Sequence, residues 1–103
     1  MLRYIKILLK VKSLPIYVKY EIRHILLNVY RYGKYEYLLP SREDDVNDIK
    51  HQAIEFLKIS RAKNYFESGY NIIEFRDGIV RYKFSKLTKD GKTLLNILNI
   101  ELR

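Results

Sequence analysis

Between Asn71 and Phe84 the chain reads NIIEFRDGIVRYKF, and no other stretch constrains the fold as tightly. β-branched and aromatic residues alternate with charged ones on both sides of Asp77-Gly78. A two-residue link between such runs needs positive φ at both positions, which Asp and Gly tolerate, so a tight antiparallel hairpin is predicted. Closing the turn there pairs Arg76 with Ile79, Phe75 with Val80, Glu74 with Arg81, Ile73 with Tyr82 and Ile72 with Lys83. One face then carries Ile73, Phe75, Val80 and Tyr82 toward a core. The other shows Glu74 across from Arg81, with Arg76 at the tip and Lys83 further along. A cross-strand ion pair is worth only ~0.2–1 kcal/mol, so the hairpin must be held by its apolar face.

Helices supply the partner for that face. Leu2, Ile5, Leu8, Leu9 and Lys12 recur at helical intervals over residues 2–12. Val18, Ile22, Ile25, Leu26 and Val29 form one continuous stripe over residues 16–31, leaving Lys19, Arg23 and Arg31 off it, and Gly33 is placed to close the helix. Residues 33–40 suit a loop or a short strand. Ser41 then caps a third helix whose first turn holds Glu43, Asp44 and Asp45, where the helix dipole favours negative charge. Its apolar positions are Val46, Ile49, Ala53, Phe56 and Leu57. The acidic run has no metal-loop spacing, so capping explains it better than a cation site. A turn at Ile59-Ser60 and a short helix from Arg61 to Glu67 follow. After the hairpin, Thr88 caps a last helix with the stripe Leu94, Leu95, Leu98 and Leu102. Gly91 in its first turn costs ~1 kcal/mol of helix propensity, which a close approach of neighbouring backbone would explain.

The 103 residues and 48% apolar content suit one domain. Net charge is +8, concentrated at the ends: +7 over residues 1–34, −3 over 35–60 and +4 over 61–103. Such a balance favours an anionic partner. The absence of cysteine excludes disulfides and thiolate metal sites and favours an intracellular, cytoplasmic location. His24 and His51 are too few for a histidine metal cluster and suit helix surfaces. No apolar run approaches the ~18–20 residues of a membrane span. With no phosphate-binding glycine loop and no carboxylate–histidine pair, neither enzyme activity nor a cofactor is expected.

The order DG…VRYKF…LTKDGKTLLNIL resembles the end of a winged helix-turn-helix domain of small archaeal, archaeal-viral and bacterial transcription regulators. Leu87, Thr88, Gly91, Leu94 and Leu95 match its leucine-threonine-x-x-glycine-x-x-leucine-leucine helix, and Asp77-Gly78 matches its wing turn. HQAIEFLKISRAKNYFESGYNII is similar to the helix pair and the entry to the wing, although Asn64 stands where an apolar residue is usual. The resemblance implies a mostly helical α+β winged helix-turn-helix over residues 1–103. Its parts are N-terminal helices at 1–34, the helix-turn-helix at 41–68, the wing at 71–84 and a final helix at 88–103. It implies binding of double-stranded DNA by a homodimer joined through the N- and C-terminal helices. Ser60, Arg61, Lys63, Asn64 and Tyr65 would reach phosphates and base edges, and Arg76, Arg81 and Lys83 would hold the neighbouring backbone. The 60–68 segment also suits a short polar connector.

Two other classes fit parts of the chain. The opening MLRYIKILLK with EIRHILLNVYRY faintly resembles mitochondrial LYR-motif adaptors, but Tyr4-Ile5-Lys6 replaces the defining tripeptide. A ribosome-associated RNA-binding protein fits the charge and the ten tyrosines. Most of those tyrosines fall on apolar stripes, so core packing is the expected role.

Overall fold

The continuous stripe in the second helix becomes the spine of the core. Val18, Ile22, Ile25, Leu26 and Val29 of that helix are all essentially inaccessible to solvent. The computed structural model of the chain describes residues 2–40, 45–59, 64–67, 70–76 and 78–103. In chain order it has α1 (Leu2–Lys12), α2 (Ile16–Tyr32), β1 (Tyr35–Pro40), α3 (Asp45–Ile59), β2 (Tyr70–Arg76), β3 (Ile79–Phe84) and α4 (Lys89–Glu101). Among the described residues this is a small α+β fold with more helix than strand.

Gly33 ends α2 with φ +74°, and its N–H donates to the Val29 carbonyl oxygen at 2.8 Å. Only a left-handed residue makes that reversal cheaply, and the chain then enters β1 at once. The three strands form one antiparallel sheet in the order β1-β3-β2. In β1 and β3, burial alternates: Tyr37, Leu39, Tyr82 and Phe84 face inward, while Glu36, Leu38 and Lys83 face water. Helix α3 packs Ala53, Ile54, Phe56 and Leu57 into the core. Lys50 and Lys58 of the same helix sit over the rings of the register partners Tyr37 and Tyr82, at 5.5 and 5.6 Å. The proposed Ser41 cap with Glu43 and Asp44 lies outside the described residues.

At the hairpin turn Gly78 has φ +74°, as the expected turn requires of it, and Asp77 lies outside the described residues. Its first three pairs, Arg76–Ile79, Phe75–Val80 and Glu74–Arg81, are as predicted. Beyond them a bulge at Ile73 shifts the register, so Tyr82 faces Ile72 and Lys83 faces Asn71. The turn dictates pairing only near itself. Pairing of β3 with β1 on its other side spans all six residues of each, and a bulged outer strand absorbs the mismatch.

Three further expectations are corrected. On α1 the buried residues are Ile7 and Val11, not Leu2, Ile5 and Leu9, because contact with α4 selects the face. Asn64 is in a 3-10 conformation, and residues 65–67 do not continue a helix. The Thr88 N–H donates to the Tyr65 carbonyl oxygen at 3.0 Å, and the Glu67 N–H donates to the Lys86 carbonyl oxygen at 2.8 Å. Those backbone groups are thereby spent on a bridge in which Phe66 pairs with Leu87, and the Phe66 ring packs on Phe84 with centroids 4.6 Å apart. Tyrosines also divide differently from the expectation: Tyr37, Tyr65 and Tyr82 are buried, but Tyr4, Tyr17, Tyr20, Tyr30 and Tyr32 are exposed.

Candidate nucleic-acid interface

Of the residues expected to touch DNA, Ser60, Arg61 and Lys63 lie outside the described residues. Asn64 is exposed, and its carbonyl oxygen accepts from the Thr88 hydroxyl. Tyr65 is only 3% exposed, so its ring belongs to the core and not to a groove-reading surface. Helix geometry alone would put it one position from Asn64 on an open surface; the bridge to the 86–88 segment turns it inward. Arg76 stands opposite Ile79 beside the hairpin turn. Arg81 is half-buried, with its guanidinium 3.7 Å from the Glu36 carboxylate on β1. Glu36 is thus a second acidic neighbour, on β1, while Glu74 on β2 stays the register partner of Arg81 as predicted. Lys83 is exposed on the outward face of β3.

The segment after Lys83 adds cations that the sequence reading left aside. Lys83, Lys86, Lys89 and Lys92 stand at every third position from the end of β3 into the first turns of α4, and all four are exposed. Phe84, Leu87, Leu94 and Leu95 between and after them are buried, which forces the lysines outward. The signal was legible as KFSKLTKDGK, where basic residues recur while the apolar ones take the core positions.

This row is held on a rigid base. The Thr88 side chain accepts from the Gly91 N–H at 3.1 Å, capping α4, while its hydroxyl donates to the Asn64 carbonyl oxygen. Gly91 is buried against the Tyr65 carbonyl. No protein-family model, curated sequence or solved structure matches the chain.

The opposite side of the sheet is organised by polar contacts of a different kind. The Tyr37 hydroxyl donates to the Glu21 carboxylate of α2, and Tyr35 lies with its hydroxyl 3.0 Å from His24 Nε2. Burial, then the hydrogen bond and charge of Glu21, pushes the Tyr37 hydroxyl far above the ordinary tyrosine range. Burial and Glu21 also raise Tyr35. His24 is exposed and meets Tyr35 edge-on, with ring centroids 5.6 Å apart. These groups dock β1 on α2, and a raised tyrosine held neutral offers no nucleophile or base at neutral pH. Among the described residues, no group of three or more His, Cys, Asp or Glu side chains could hold a metal ion. No described helix is long and apolar enough to cross a membrane.

Proposed function

We propose that this protein binds duplex DNA, with the row Lys83, Lys86, Lys89 and Lys92 lying along the phosphate backbone and the β2–β3 turn beside it. The observation that carries this reading is that row: four exposed lysines on consecutive structural elements, in a chain of net charge +8. Backbone contacts of this kind supply sequence-independent affinity and register. The hairpin followed, after residues 85–88, by a capped leucine helix supports a wing of the winged helix-turn-helix type. Arg76 at the turn, the exposed Asn64 and the segment holding Ser60, Arg61 and Lys63 are the candidates for reading the grooves. Tyr65 is not among them.

Binding to a mixed-sequence duplex is measured over a salt series. Affinity falls steeply with salt, and each phosphate-contacting lysine changed to alanine reduces the slope of log K against log [salt] by ~0.9. Arg76→Ala weakens binding as well. A flat salt response, or a slope untouched by Lys86→Ala and Lys89→Ala together, refutes the reading.

The exposed tyrosines favour a second reading. Tyr17, Tyr20 and Tyr30 of α2 stand in water near the basic Lys19, Arg31 and Lys34. Aromatic rings beside cations are the means by which single-stranded nucleic acid is held without base-specific contacts. Stronger binding to a single strand than to the duplex, lost in Tyr20→Ala and Tyr30→Ala, would favour it.

A further inference from the structure

Helix α1 is apolar on two opposite sides. Ile7 and Val11 face the core with Leu8 packed beside them, yet Leu2 is 75% exposed, Ile5 48% and Leu9 63%. The i, i+3, i+7 spacing places these three on one stripe, on the far side of the helix from Ile7 and Val11. Exposed Lys6, Lys10 and Lys12 flank the stripe, and residues 1–20 contain no acid. A cleft of about 570 Å³ lies between the C-terminal end of α1 and α3. Leu14 and Phe56 give the cleft its apolar lining, and Asp48, His51 and Glu55 line it from α3, with Lys10 on the α1 side. Asp48, His51 and Glu55 share one helix face at i, i+3, i+7. All three are exposed.

We infer that a second copy of this chain covers this patch, each copy laying its Leu2–Ile5–Leu9 stripe over the other's α1–α3 cleft. A two-fold pairing requires one surface that is complementary to itself. Here one helix carries the stripe and reaches the cleft, since Lys10 of α1 lines the cleft and follows Leu9 in the chain. The charges also match across copies, with Lys6, Lys10 and Lys12 of one facing Asp48 and Glu55 of the other. Stripe against stripe would instead bring the same lysines together. An anionic membrane surface would suit the stripe but would repel the carboxylates of the cleft. The inference uses none of the lysines at 83–92, and it does not depend on the nucleic-acid reading.

The test is sedimentation equilibrium without nucleic acid from about 1 to about 200 µM, where interfaces at the small end of the specific class dissociate. The wild-type chain forms a dimer. The exposed pair Ile5→Ser with Leu9→Ser weakens it about tenfold or more while circular dichroism and the melting temperature stay unchanged. Glu55→Lys weakens it too, by presenting a cation to the partner's lysines. A monomer throughout, or a dimer indifferent to either variant, overturns the inference. So does a monomer that pellets with phosphatidylserine vesicles and loses that binding in the Ile5/Leu9 variant; the stripe is then a membrane contact. DNA binding by a monomer leaves the nucleic-acid reading standing alone.

Discussion

The carbonyl oxygen of Tyr65 occupies the space into which a side chain at position 91 would grow. Gly91 lies in the first turn of α4, yet a Cβ there would run into that oxygen, with the Leu87 side chain 3.2 Å away. Helix propensity alone favours alanine at 91 by ~1 kcal/mol. Overpacking against backbone reverses the sign, and Gly91→Ala is expected to destabilise by roughly 1–3 kcal/mol in urea unfolding. A gain in stability would show that the 64–67 turn moves aside freely.

Thr88 joins the same two segments. Its hydroxyl caps α4 through the Gly91 N–H and also donates to the Asn64 carbonyl oxygen, so Thr88→Ala removes both bonds. The expected loss is ~1–2 kcal/mol, with most of it recovered in Thr88→Ser. Because Thr88 and Gly91 hold one turn, the double variant should lose less than the sum of the singles. Strict additivity would mean that the two contacts are independent.

Alkaline stability follows from Tyr37. Its hydroxyl is held protonated in the fold, far above the value near 10 of an unfolded tyrosine. Below that value both states keep the proton and stability is flat. Above it the unfolded chain loses the proton and the native one does not, so stability falls as pH rises past 10. Tyr37→Phe should flatten part of this decline and, by leaving Glu21 without its donor, cost roughly 1.5–3 kcal/mol at neutral pH. Unfolding curves between pH 7 and about 11 check both effects; an unchanged alkaline slope in the variant would reject the assignment.

Glu36 restrains the basic face of the sheet. It stands across from Lys83 in register and lies 3.7 Å from Arg81 on the exposed side. Glu36→Gln should therefore tighten nucleic-acid binding about two- to fivefold at low salt, an exposed ion pair being worth no more than ~1 kcal/mol. Lys83→Ala should weaken it. Equal binding by both variants would remove β3 from the interface.

Local chemistry decided a good deal on its own. The α2 stripe from Val18 to Val29, the Gly33 stop, Gly78 at the hairpin turn with the first three pairs, and the Thr88 cap all depend on neighbours within a few residues. Each was readable from residue type and spacing. Outcomes that needed a distant partner were not. The choice of Ile7 and Val11 over Ile5 and Leu9 depends on contact with α4. The bulge at Ile73 depends on β3 also pairing with β1. Tyr65–Glu67 gave up helical bonding because the 86–88 backbone offered partners. The same bridge removed Tyr65 from the candidate surface.

The sequence thus determined by itself most of the helical segments, the hairpin and the α2 stop, since propensity, capping and turn geometry are short-range; it left residues 33–40 open between loop and strand and extended a helix over 65–67 that tertiary contacts replaced. It also set the net charge of +8 on which the proposed anionic partner rests. Tertiary structure alone decided which face of each segment is buried, and so which cations and apolar residues remain for a partner. Burial is a property of two surfaces meeting, and no single segment carries the information about its counterpart.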